Sequence, residues 1–171
     1  MSLLIGYFSL ALIISFICSM LESVILSVTH SHIGIMSKDN PRGGELILKL
    51  KDDINRPLAA ILTLNTIANT VGAAGVGAQA LVVYGSGAVA IASAILTFCI
   101  LIFSEIIPKT IGATYWRRLA VPSAYIIKFL MILTFPFVWM SHALSAKLTP
   151  DEEDIKRVSR EEIAAMAEMG E

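Results

Sequence analysis

The sequence predicts an all-α integral membrane protein with three transmembrane helices, re-entrant or juxtamembrane belt helices, and a short cytoplasmic acidic helix. Three observations predict it. Of the 171 residues, 56% are hydrophobic and only 16% are charged, with mean hydropathy +0.74, whereas soluble domains run at about 45–50% apolar and about 25% charged. The apolar residues fall in long blocks rather than amphipathic stripes, as a bilayer demands. The charge is also segregated: from Asp151 onward there are eight acidic and three basic residues, and before it six acidic and ten basic.

The first apolar block, residues 3–28, carries one charge, Glu22. It lacks a basic leader and an A-x-A cleavage signal and is too long for a signal-peptide core, so it reads as a span. Residues 30–56 are polar, with a turn signal at Pro41-Arg42-Gly43-Gly44 and amphipathic helical spacing over Gly44–Lys51. Residues 57–84 form the second block, opened by Pro57, which suits a first helical turn. Tyr84-Gly85-Ser86-Gly87 makes a tight turn into the third block, residues 88–108. A fourth apolar stretch, 119–146, is interrupted by Pro122, Lys128 and Pro136 and reads as a bent, non-spanning helix pair. Thr149-Pro150-Asp151-Glu152 opens a charged helix over 150–171.

Positive charge sets the expected orientation. The 30–56 loop has five Lys/Arg, the 85–87 turn has none, and Lys109, Arg117 and Arg118 follow the third block. The N-terminus is therefore expected outside and the C-terminus in the cytoplasm. A spanning fourth stretch would instead put the tail outside. Nucleic-acid binding is not expected, because no basic stripe interleaves with aromatics. Cys18 and Cys99 lie inside apolar blocks as buried thiols, and no Cys/His cluster suggests zinc or haem. No Ser/His or paired-Asp arrangement suggests an enzyme.

Polar residues within the spans are the informative ones, since each is costly there unless partnered. Ser15, Ser19, Ser23 and Ser27 recur every four residues on one face of the first helix, with Glu22 on the same side. Asn65 and Asn69 repeat that spacing in the second helix, flanked by Thr66 and Thr70. The small pairs Ala73/Gly77 and Ala74/Ala78 follow, which let another helix approach. Glu105 follows the seventeen uncharged residues Gly87 to Phe103. Pro108, three residues later, frees the carbonyl of Ser104. Gly112 shares the face of Glu105, and a Glu105–Lys109 ion pair is the plain alternative for that carboxylate. For the serines and asparagines the alternative is helix–helix hydrogen bonding. All of these groups offer oxygen, which suits Mg²⁺, Ca²⁺ or Na⁺ rather than Zn²⁺ or Cu⁺. His30, His32 and His142 read as interfacial.

Three stretches together resemble the cyclin M (CNNM)/CorC magnesium transporters, specifically their DUF21 membrane domain. Ser19-Met20-Leu21-Glu22-Ser23 resembles the small-polar motif of the family's first helix. Leu64-Asn65-Thr66-Ile67-Ala68-Asn69 is similar to its G-N-N-x-x-N, with Leu64 in place of the first of the two adjacent asparagines. Ser104-Glu105-Ile106-Ile107-Pro108-Lys109-Thr110 is close to G-E-x-x-P-K-T, with Ser104 in place of glycine. The resemblance covers about residues 1–150 and implies a homodimer in the plasma membrane, with a transmembrane domain over 1–149. Residues 150–171 would begin an acidic helical bundle that leads, in the family, to a CBS-domain pair binding ATP. No such pair is present here, so the chain is expected to be part of a longer protein. The resemblance implies a Mg²⁺ site of Ser19 (or Ser23), Asn69, Glu105 and Gly112, with Asn65 as second choice. It also implies Mg²⁺ export coupled to Na⁺ entry. Six oxygens near 2.1 Å are what Mg²⁺ requires, and a site with one carboxylate would release it readily. A different reading makes the chain a non-transporting scaffold whose acidic tail senses Mg²⁺ and regulates another transporter.

Overall fold

The computed structural model describes residues 1–137, and every regular element among the described residues is helical. Helix α1 (Ser2–Ser27) is about 39 Å long at 1.5 Å per residue, enough to cross a hydrocarbon core of about 30 Å. Val28, in extended backbone, ends it. Thr29 then caps α2 (His30–Asp39) by accepting the His32 amide. Asn40 serves two helices. Its amide donates to the Met36 carbonyl at 2.8 Å, and its Oδ1 accepts from the Gly43 amide at 3.0 Å at the start of α3 (Pro41–Asp52). The expected turn at 41–44 is therefore a helix start. Pro41 stands in the first turn, where its missing N–H is not needed.

Helix α4 (Asn55–Tyr84) is the second span, with Pro57 in its first turn. Gly85 follows with φ 83°, a conformation that costs glycine nothing, and the chain reverses at once into α5 (Ser86–Cys99). A π-helical segment, Ile100–Ile106, links α5 to α6 (Ile107–Leu133). Pro108 has no amide to offer Ser104, and its ring crowds the preceding turn. The backbone widens just before it, so that the Ile107 amide donates to Ile102, five residues back.

The third block is thus continuous with the fourth. The 48 residues from Ser86 to Leu133 would reach about 72 Å if straight, more than twice the hydrocarbon thickness. The helix breaks at Tyr115 (φ −105°, ψ 16°) and ends at Thr134, not at Pro122 or Lys128 as their residue types suggested. Pro122 is tolerated because packing holds α6 on both sides of it: Ala120, Ala124, Ile127 and Leu130 are buried in one core. That core also contains Ile33 of α2, Ile47 and Leu50 of α3, and Leu21 and Ile25 of α1. The second half of α6 therefore lies in a layer with α2 and α3 where α1 ends. Residues 138–146 of the fourth stretch, His142 among them, and the acidic helix of 150–171 lie outside the described residues.

Two contacts lock α1 into this frame. Lys51 of α3 reaches the end of α1 and donates to the Ile25 carbonyl at 3.2 Å, where a cation also suits the helix dipole. In the membrane, α1 and α4 touch at glycines. A Cβ on Gly72 would collide with the Ala11 side chain, and one on Gly75 would lie 2.5 Å from the Tyr7 ring. The pairs Ala73/Gly77 and Ala74/Ala78 do not make this contact: Ala73, Ala74 and Ala78 are exposed, and Gly77 has only a distant neighbour, Val89.

Gly72→Val should therefore lower the detergent melting temperature by the equivalent of about 1–3 kcal/mol of overpacking, while Gly77→Val should change it little. Equal effects from the two substitutions would contradict the observed register of α1 on α4.

Candidate cation site

The serine ladder of α1 faces inward. Ser15 and Ser19 are buried, at 0% and 1% exposure, and Ser23 is half-buried. A helical hydroxyl can satisfy itself on the carbonyl one turn back. Thr63, Thr97, Thr110 and Thr114 all do so in or near the membrane, and Ser37 and Thr134 do so outside these spans. Ser15 and Ser19 do not. Their Oγ atoms, together with Asn65 Oδ1 and Asn69 Oδ1 on the packed helix α4, are buried with no hydrogen-bond partner among the described residues. Leaving such a group unpaired costs about 1–3 kcal/mol. Four unpartnered oxygens on two helices in contact amount to a candidate ligand set: a cation satisfies the two amide oxygens, which only accept, and a serine hydroxyl can also ligate through its oxygen.

Helix α6 crosses α1 beside this set. A Cβ on Gly112 would lie 2.8 Å from the Met20 carbonyl and 2.9 Å from Ser23 Cβ, so glycine alone permits the approach. The Ser23 hydroxyl donates to the Lys109 carbonyl at 2.7 Å, and the Ser104 hydroxyl donates to the Leu12 carbonyl at 3.0 Å. Both ends of the Pro108 region are thereby tied to α1. Ser23 and Gly112 are brought together, one turn from Ser19. Glu105 lies half-buried in the π-helical segment, and among the described residues it makes no ion pair or side-chain hydrogen bond.

The Glu105–Lys109 pair weighed from the sequence does not form. Lys109 Nζ lies 3.4 Å from Glu22 Oε2, bridging α6 to α1. Glu22 also faces Asn65 across a cavity of about 240 Å³ floored by Leu58, Ile61 and Leu62, roomy enough to hold water. Sequence reasoning noticed Glu22 on the serine face but left it out of the ligand set. Ser15, one turn before Ser19 on the serine ladder, was legible from spacing alone. The Glu22–Lys109 bridge joins residues 87 positions apart in the chain, and no local pattern reports it. No cluster of three or more His, Cys, Asp or Glu occurs among the described residues, so the site is made of neutral oxygens with isolated carboxylates.

Residues 7–171 match the family described as the cyclin M transmembrane N-terminal domain. The chain is 30% identical over 154 residues to the UPF0053 protein sll1254 of Synechocystis, covering 90% of this chain and 44% of that protein. It is 32% identical over 127 residues to the UPF0053 inner membrane protein YfjD of Escherichia coli, covering 74% and 30%. A UPF0053 protein of Haemophilus influenzae is 30% identical over 139 residues, covering 81% and 33%. The chain thus spans less than half the length of these relatives.

Without divalent cation, Ser15→Ala should leave thermal stability unchanged or slightly raised, because its hydroxyl has no bond to lose. Ser23→Ala should lower stability by about 1 kcal/mol through loss of its bond to Lys109. A large destabilisation by Ser15→Ala in metal-free detergent would show that its oxygen has a partner.

Proposed function

Because the chain belongs to the cyclin M transmembrane N-terminal domain family, we propose that it carries Mg²⁺ across the cell membrane through a site between α1, α4 and the π-helical segment. The observation that carries this reading is the set of buried, unpartnered oxygens of Ser19, Asn65 and Asn69. Glu105 supplies the charge, and the Gly112 carbonyl and Ser23 complete the set. Mg²⁺ takes oxygen ligands and binds commonly through one or two carboxylates, which fits a site with Glu105 free of an ion pair among the described residues and Glu22 tied to Lys109. Its mostly neutral donors favour release as well as capture, as transport needs.

In this reading Mg²⁺ leaves the cell and Na⁺ enters. The N-terminus is outside, and the basic 30–56 loop and the C-terminus are in the cytoplasm. The working unit is a homodimer, and a CBS-domain pair binding ATP follows in the longer protein. The printed name of the Escherichia coli relative, an inner membrane protein, supports placement in the cell membrane.

Proteoliposomes containing the wild-type chain should move Mg²⁺, and Asn69→Ala and Glu105→Ala should each cut that flux more than tenfold. The Mg²⁺-dependent rise in melting temperature expected of a ligand that binds only the folded state should disappear in Asn69→Ala. Wild-type flux in both variants would remove the ligand assignment. Mg²⁺ binding without ion movement in the wild type would instead favour the regulatory scaffold.

A further inference from the structure

The layer of α2, α3 and the second half of α6 contains a cavity that the cation site does not use. It measures about 480 Å³ and lies between α3, the first turn of α4 and α6. Four basic side chains line it, Arg42, Lys49, Arg56 and Lys128, against two acids, Glu45 and Asp53, leaving a net charge of 4 − 2 = +2. The acids are already engaged. Glu45 holds Lys49 at 2.7 Å, and that bond keeps its carboxyl below the ordinary carboxylate range. Asp53 holds Arg56 at 2.9 Å. Arg42 from α3 and Lys128 from α6 have no carboxylate partner among the described residues, and they face one cavity from two elements.

The remaining lining is not that of a site for a soluble anion. Leu46, Leu50, Pro57 and Met131 make an apolar floor, with Tyr125 at the wall. Pro57 stands in the first turn of a spanning helix, so the cavity lies at the level where α4 enters the membrane. Beside Lys128 and Met131, Phe129 and Ile132 are 62% and 68% exposed, continuing the apolar floor outward along α6. A basic mouth over an apolar floor at the membrane boundary matches one ligand chemistry: a phosphate ester with hydrocarbon attached. We propose that the cavity between α3, α4 and α6 binds the headgroup of an anionic phospholipid, with its phosphate between Arg42 and Lys128 and its acyl chains along α6.

The test uses the delipidated 171-residue chain in neutral detergent, titrated separately with phosphatidylglycerol, phosphatidylcholine and inorganic phosphate. Bound lipid is counted by native mass spectrometry, and melting temperature is followed in parallel. Phosphatidylglycerol should bind and raise the melting temperature; phosphatidylcholine and inorganic phosphate should do neither at equal concentration. Each juxtamembrane basic residue contributes about fivefold to anionic-lipid affinity, so Arg42→Gln with Lys128→Gln should weaken phosphatidylglycerol binding about 30-fold. Lys128→Arg should retain it, and Lys38→Gln, on α2 away from the cavity, should leave it unchanged. Both cavity residues are exposed, so the double variant should fold. Equal phosphatidylglycerol binding by wild type and double variant overturns the proposal. Equal effects of inorganic phosphate and phosphatidylglycerol would make the cavity a phosphate site and overturn its assignment to lipid. A double variant that melts lower than wild type in lipid-free detergent, with no lipid bound to either, would mean that a protein segment fills the cavity.

Discussion

The approach of α6 to α1 at Gly112 is the constraint on which the rest of the structure depends. With no side chain at Gly112, α6 comes within contact of the Met20 carbonyl and of Ser23. This closeness lets the Ser23 hydroxyl reach the Lys109 carbonyl, and it anchors the stretch after the π-helical segment. Ser104 does the same one turn before Pro108, through the Leu12 carbonyl. Pro108 withholds an amide between these two ties, and the widened backbone that results carries Glu105. A larger residue at position 112 would separate the helices, and the placement of the carboxylate would go with them.

The interior of the bundle carries polar side chains on two packed helices whose oxygens are unpaired among the described residues. Six hydroxyls, those of Ser37, Thr63, Thr97, Thr110, Thr114 and Thr134, satisfy themselves on their own backbone, yet among the described residues the buried Ser15 and Ser19 do not, and Asn65 and Asn69 leave their carbonyl oxygens unpaired. In a hydrocarbon setting this costs stability unless something positive or water-like occupies the space. Lys109 compensates the other buried-side acid, Glu22, at 3.4 Å, with both side chains partly exposed, so that pair contributes modestly to stability and mainly sets charge balance. The bundle thus keeps one carboxylate tied to a lysine and another without an ion-pair partner among the described residues.

Outside the spans, the amphipathic helices α2 and α3 bury Ile33, Ile47 and Leu50 against α1 and α6. His32 meets the edge of the Trp116 ring with centroids 4.8 Å apart, next to the break at Tyr115. Lys51 closes the C-terminal end of α1 from the same layer. The spans and this layer therefore share one core, so a change in how α3 or α6 sits is transmitted to α1, which carries the serines. That coupling gives a ligand held between α3 and α6 a physical route to the bundle.

Helix class, the three spans and the two polar ladders were legible in the sequence, because a span needs about twenty apolar residues and a helix repeats its face every three to four. Those rules are local, and they set Ser15 and Ser19 on one helix, Asn65 and Asn69 on the next, and a tight turn at Gly85, as the structure does. They failed where a residue type has two meanings. Pro41 was read as a turn and starts a helix; Pro122 and Lys128 were read as breaks and lie inside α6, because burial on α1 and α3 outweighs one lost hydrogen bond. Tertiary structure alone decided which glycines make close contacts, Gly72 and Gly112 rather than Gly77, and that Lys109 pairs with Glu22 rather than Glu105. These outcomes depend on distances between residues far apart in the chain, which are set by packing of whole helices and leave no periodic trace in the order of amino acids.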